Sequence, residues 1–158
     1  MKKLILLVVL LAGVWLLFRS CGGPAELSSP PPPALTKPEA PKAGATLNSV
    51  FPKGSGDFKL TFTQEKEGFA QAEWSKGSTK VATIAITDTN TNPSARDKFR
   101  DSAKKIAGYP AAAVGSQGTA VLVADRFQVQ VRSTSPAFSA ADRDALVARC
   151  NLQALAGK

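Results

Sequence analysis

Fifteen consecutive apolar residues, Leu4 to Phe18, follow Lys2 and Lys3 and stop at Arg19. Charge followed by a long apolar run is the pattern of an export signal. As a helix rising ~1.5 Å per residue the run spans about 22 Å, less than the ~30 Å hydrocarbon core of a bilayer. It reaches both interfaces only if Lys3 and Arg19 extend outward, with Trp15 near the outer one. Behind it, residues 22–45 hold seven of the chain's eleven prolines, including Pro30-Pro31-Pro32-Pro33. Proline fixes φ and favours polyproline II, so this stretch reads as a spacer of up to about 70 Å. The 158-residue chain is thus expected to divide into an anchor (1–21), a linker (22–45) and one domain (46–158) of about 113 residues, enough for a single small core.

Two readings of the anchor fit. The first, adopted as the expectation, is an uncleaved single-pass signal anchor. The second rests on Phe18-Arg19-Ser20-Cys21, which resembles the bacterial lipobox, in which a bulky apolar residue and two small ones precede a lipidated cysteine. Ser20 and Cys21 match, Gly22-Gly23 afterwards is compatible, and Arg19 stands where a small uncharged residue belongs. The resemblance implies cleavage before Cys21 and lipidation of that residue. Lys2, Lys3 and the terminal amine lie ahead of the run and only Arg19 lies close behind it. The positive-inside bias therefore places the C-terminal domain outside the cytoplasm.

Composition removes several kinds of chemistry. The chain has no histidine, hence no His-based triad, His metal site or imidazole switch. Two cysteines are too few for a structural zinc site or a disulfide-dense scaffold. The whole chain carries 20 basic and 12 acidic residues, and the domain keeps 15 and 10 of these, about +5. Such an excess suits anionic lipid or polysaccharide as readily as plain solvation. Nucleic acid is not expected as a partner, because no aromatic stacking platform alternates with the basic residues.

Within the domain, Leu47, Val50 and Phe51 suggest a short helical turn. Phe58, Leu60 and Phe62 alternate with polar residues, as do Ala70, Ala72 and Trp74, and Val81–Thr87 is rich in β-branched residues. Short turns separate these three strands, which predicts an antiparallel meander. Asn92-Pro93 reads as a helix start, with Ala95, Phe99, Ala103 and Ile106 as its buried stripe and Gly108 as its stop. Strands follow at Tyr109–Val114, Thr119–Ala124 and Phe127–Arg132, then a helix opened by Ser139 with Asp142 three residues on. The expected fold is α+β, a two-layer sandwich on a mostly antiparallel sheet, in the order β-β-β-α-β-β-β-α. This order resembles that of small extracytoplasmic sandwich domains in photosystem-associated extrinsic proteins and some bacterial lipoproteins. The likeness is one of topology and implies no activity.

Five groups of residues bear on chemistry. Asp88-Thr89-Asn90-Thr91-Asn92 spaces oxygens as a calcium loop does, but Pro93 stands where the turn glycine belongs and Phe99 where the bidentate glutamate belongs. A polar loop capping a helix is the expectation, and no metal or other cofactor is assigned. Glu65 and Glu67 read as turn charges rather than a carboxylate pair. Cys150 lacks a base and reads as a buried small residue. Arg96, Arg100 and Lys104 form one stripe of the expected helix. Arg126, Gln128, Gln130 and Arg132 alternate against Phe127, Val129 and Val131, and their arginines and amides offer a sheet face suited to carboxylates, phosphates or sugar hydroxyls.

No catalytic residue is assigned. The expected function is a membrane-tethered, extracytoplasmic, non-enzymatic domain that binds or scaffolds other envelope proteins or anionic surface components. A ligand or sensor module for an anionic or glycan ligand is the alternative, and an Asp/Glu hydrolase ranks behind both. On this reading the full chain fractionates with membranes and resists extraction by high salt, since fifteen apolar residues bury more than surface charge can hold. Cys21→Ser leaves its size and membrane attachment unchanged. An acylated N-terminal Cys21 found by mass spectrometry reverses the choice between the two anchors.

Overall fold

The computed structural model describes residues 39–157. The expected anchor, Cys21 and all of the expected linker before Glu39 lie outside the described residues. The domain is α+β. Seven strands form one antiparallel sheet in the order β1-β2-β3-β7-β6-β5-β4. They are β1 (Phe58–Lys66), β2 (Phe69–Lys76), β3 (Thr79–Asp88), β4 (Lys105–Ile106), β5 (Tyr109–Val114), β6 (Gly118–Val123) and β7 (Phe127–Ser133). Two meanders, β1-β2-β3 and β4-β5-β6-β7, are thus joined edge to edge by β3 and β7.

Alternation along the strands puts the apolar set on one face. Ala70, Ala72 and Trp74 of β2, Ile84 and Ile86 of β3, Val121 and Val123 of β6, and Phe127, Val129 and Val131 of β7 are all buried there. Three short helices cover them: α1 (Gly44–Leu47), α2 (Ala140–Ala148) and α3 (Gln153–Ala156). A 3₁₀ turn at Asn48–Val50 extends α1. Leu47, Val50, Leu146, Val147 and Leu155 are their contributions to the core. Ser139 caps α2 through the expected box, accepting from the Asp142 amide while the Asp142 carboxylate accepts from the Ser139 amide. Gly44 permits the close seating of α1, because a Cβ there would lie 2.6 Å from the Lys66 carbonyl oxygen.

The stretch after β3 departs from expectation. Instead of one α-helix from Asn92, Pro93–Phe99 forms a 3₁₀ helix, and the chain re-enters the sheet as β4. Ala107 (φ 50°) and Gly108 (φ 86°) reverse it into β5, so Gly108 closes a hairpin rather than a helix. The expected stripe of Ala95, Phe99, Ala103 and Ile106 fails because its two large members serve opposite faces. Ile106 joins the main core, whereas Phe99 packs on the other side of the sheet with Ala120 and Leu122. Asn92 does not cap the 3₁₀ helix; its Oδ1 accepts from the Ser94 hydroxyl at 2.8 Å. Arg96, Arg100 and Lys104 accordingly share no helical stripe.

The free edge of β1 is nine residues long and mostly exposed, including Phe62 at 42 %. A bulge between Phe62 and Gln64 interrupts it, and Lys59 and Lys66 flank the bulge. Both features discourage another strand from pairing there. At the opposite edge β4 is only two residues. Among the described residues no helix is long and apolar enough to cross a membrane.

Two substitutions test this layout. Val129→Ala, at a fully buried position of β7, lowers stability by about 1–3 kcal/mol in denaturant unfolding, through lost burial and a cavity. Ala124→Gly in the β6–β7 turn raises stability by up to about 1 kcal/mol, because Ala124 holds a left-handed φ of 52° that glycine adopts without strain.

Candidate functional site

The face of the sheet opposite the helices is covered only in part. The 3₁₀ helix at Pro93–Phe99 lays Phe99 over Ala120 and Leu122, near β5 and β6. The strand registers arrange the rest into rows. Phe69, Thr87, Gln128 and Leu122 lie side by side on β2, β3, β7 and β6. The next row is Gln64, Gln71, Ala85, Gln130, Ala120 and Ala112. The third is Thr61, Glu73, Thr83, Arg132, Gly118 and Val114. With strands ~4.8 Å apart and same-face residues ~6.8 Å apart along each strand, the rows form an open, mostly polar surface.

Amides, hydroxyls and small side chains dominate it. Gln71, Glu73, Thr83, Ala85, Thr87 and Gln130 are half-buried, and Arg132 is exposed. Gln128, at 9 % exposure, donates from Nε2 to Gln130 Oε1 at 3.1 Å, while its own Oε1 has no partner among the described residues. The Arg132 guanidinium likewise makes no hydrogen bond or ion pair among the described residues. Glu73 is held by Lys80 at 2.6 Å. Arg132 is therefore an uncommitted cation of this face among the described residues.

Beside Leu122 the face runs into a cleft of about 620 Å³. Phe99, Leu122, Pro93 and Pro110 supply its apolar lining, and Ser94, Arg96, Asp97, Arg100 and Asp125 its polar lining. Arg96 is aimed by three groups: Nε donates to Thr89 Oγ1 at 2.6 Å, one terminal nitrogen to Asn90 Oδ1 at 2.9 Å, and the other lies 3.8 Å from the Asp125 carboxylate. Asp125 is brought there by a tight turn in which both Ala124 and Asp125 have positive φ. Arg100 is largely exposed and pairs with Asp97 at 2.8 Å.

Arg126 does not belong to the expected face. It lies just before β7, and its side chain is only 9 % exposed. It donates to both oxygens of the Asp88 carboxylate at 2.7–3.1 Å, to Glu39 Oε2 at 2.6 Å and to the Ala40 carbonyl at 3.0 Å. The alternation of β7 stops at Phe127, so it no longer dictates where Arg126 points. Of the four residues grouped from sequence, the structure brings Gln128, Gln130 and Arg132 together and removes Arg126.

The residues with calcium-loop spacing, expected to form a polar loop, are engaged by the same contacts. Asp88 faces Arg126, Thr89 Oγ1 donates to the Arg126 carbonyl at 2.6 Å, and Asn90 Nδ2 donates to the Glu39 carbonyl at 3.1 Å. Among the described residues no group of three His, Cys, Asp or Glu side chains could hold a metal ion. Glu65 accepts from Asn48 at 2.7 Å, and Glu67 lies exposed in the β1–β2 turn. The Cys150 thiol is buried and pushed up to about 12 by that burial, which keeps it protonated at neutral pH.

Electrostatics set the acid behaviour of the Arg126 cluster. Burial alone would raise the Asp88 carboxyl, but the Arg126 guanidinium and the Asn90 and Lys42 amides outweigh it and hold it below the usual carboxylate range. Asp88 therefore contributes fully above its unfolded pKa of about 3.9, and this contribution disappears as pH falls through the lower folded value. Asp88→Asn removes that part of the acid limb from a stability-versus-pH curve measured by urea unfolding. At neutral pH Arg126→Ala costs about 3 kcal/mol or more, since it strands a buried carboxylate, whereas Arg132→Ala costs less than about 0.5 kcal/mol. Equal losses from the two arginine variants would contradict this placement of Arg126.

Comparison with protein-family models, with curated proteins and with solved structures finds no match for this chain.

Proposed function

We propose that this chain is a membrane-tethered, non-enzymatic binding domain, held outside the cytoplasm by residues 1–21 and meeting envelope partners through the uncovered face of its sheet. The carrying observation is that face itself: three registered rows rich in amides, hydroxyls and small side chains, with Arg132 uncommitted at the third. The apolar run at Leu4–Phe18 and the proline-rich stretch support the tether. An uncovered sheet face favours a macromolecular partner over a small molecule, which needs a concavity to bury most of its surface. The positive domain and the free guanidinium favour a partner with acidic groups where Arg132 meets it.

A second reading, a module for a small anionic or glycan ligand, draws on the cleft at Arg96 and Arg100. Its volume falls within the range of ligand sites, and its lining joins an apolar surface to guanidinium groups.

Proximity labelling of the full chain in its own membrane identifies the partner and separates the readings. With a labelled partner in hand, Arg132→Ala combined with Gln130→Ala weakens association by about threefold to tenfold, equivalent to about 0.7–1.4 kcal/mol. The association weakens further as salt rises, with thermal stability unchanged. Loss of binding in Arg100→Ala alone transfers the site to the cleft. Indifference to all three substitutions rejects both surfaces.

A further inference from the structure

Glu39–Lys42 lies in no helix or strand, yet it is held at five points. Arg126 donates to Glu39 Oε2 at 2.6 Å and to the Ala40 carbonyl at 3.0 Å. Asn90 Nδ2 donates to the Glu39 carbonyl at 3.1 Å. The Lys42 amide donates to Asp88 Oδ2 at 3.2 Å, and the Lys42 carbonyl accepts from the Gly68 amide at 2.5 Å. These partners come from the β1–β2 turn, the end of β3 with the loop after it, and the β6–β7 turn. All three lie at one end of the sheet. An ion pair between Lys42 Nζ and Glu39 Oε1, at 2.5 Å, closes the segment on itself.

Four residues anchored to three separate turns are more than a passing linker needs. Their fastening is also unequal. Arg126 and Asp88 are buried against each other, whereas the Glu39 side chain is 58 % exposed and Lys42 30 %. The inner pair can persist when the outer contacts are lost, because Arg126 keeps the Asp88 carboxylate. No apolar side chain of Glu39–Lys42 enters the main core cluster. The segment therefore opens at the expense of charge contacts and backbone hydrogen bonds, without uncovering that cluster.

We infer that Glu39–Lys42 is a strap buckled by charge on Arg126, with a closed state that fixes where the preceding chain leaves the domain and an open state that adds its length to the tether. Opening as far as Ala43 frees five residues, up to about 17 Å of extended chain. The switch is local, since the sheet stays formed in both states.

Amide hydrogen exchange on the full chain in detergent micelles tests this, with Glu39→Gln as the probe variant because it removes the exposed clasp and leaves the buried pair intact. The Lys42 and Gly68 amides exchange at least fivefold faster in the variant, while amides of β2, β3 and β7 keep their wild-type protection. Trypsin cleavage after Lys42 accelerates in parallel. Unchanged exchange at Lys42 and Gly68 overturns the role of Glu39 as buckle. Equal acceleration throughout the strands overturns the strap itself, since the segment then belongs to the cooperative core. Glu39→Asp, which keeps the charge on a shorter arm, recovers part of the protection, and no recovery counts against a charge-based clasp.

Discussion

The β3–β7 pairing is the contact on which the molecule depends. Every other strand pair joins neighbours in sequence through a turn of two or three residues. Among the strand pairs only this seam, from Ala82 opposite Ser133 to Asp88 opposite Phe127, brings distant parts of the chain together. Its formation closes a loop of 38 intervening residues, at an entropic cost that grows only slowly with length. Ile84 meets Val131 and Ile86 meets Val129 along it, all four fully buried. Two separate meanders would each leave an apolar face only partly covered. Joined, they share one core under α1, α2 and α3.

The seam also creates the features given functional meaning. Thr83, Ala85 and Thr87 belong to one meander, and Gln128, Gln130 and Arg132 to the other. The polar rows exist only because the two are in register. Where the pairing runs out, Asp88 and Arg126 stand close enough to bond, and the segment at Glu39–Lys42 fastens to that junction. The first, last and middle thirds of the described chain thus meet at one end of one strand pair.

Much of this was legible in the sequence. The alternation of Phe127, Val129 and Val131 with Gln128, Gln130 and Arg132 placed β7 and its two faces, and the β-branched run at Val81–Thr87 placed β3. The small-apolar run at Thr119–Ala124 suits a strand between two others, as β6 is. What failed were signals with two physical causes. Ala95, Phe99, Ala103 and Ile106 recur at helical spacing, yet the spacing is also met by a 3₁₀ turn followed by a strand, with Phe99 and Ile106 on opposite faces. Arg126 continues the alternation of β7 by one step in sequence but lies beyond the strand's first residue, where Asp88 decides its direction. No local pattern pairs two charges 38 residues apart. Glu39 was still less visible, because a glutamate between prolines reads as solvated linker until its partner is known.

The bulged edge of β1 bears on life in a crowd. A domain tethered to a membrane as proposed would meet its own copies at effective concentrations far above those in free solution. Nine residues of open strand, with Phe62 partly exposed, would then invite edge-to-edge growth, each copy templating the next. The irregularity after Phe62 spoils the alignment such growth requires, and lysines near both ends set like charges against an approaching copy. On the proposed tether, the edge that looks like the weakest part of the sheet would work against pairing between neighbouring molecules.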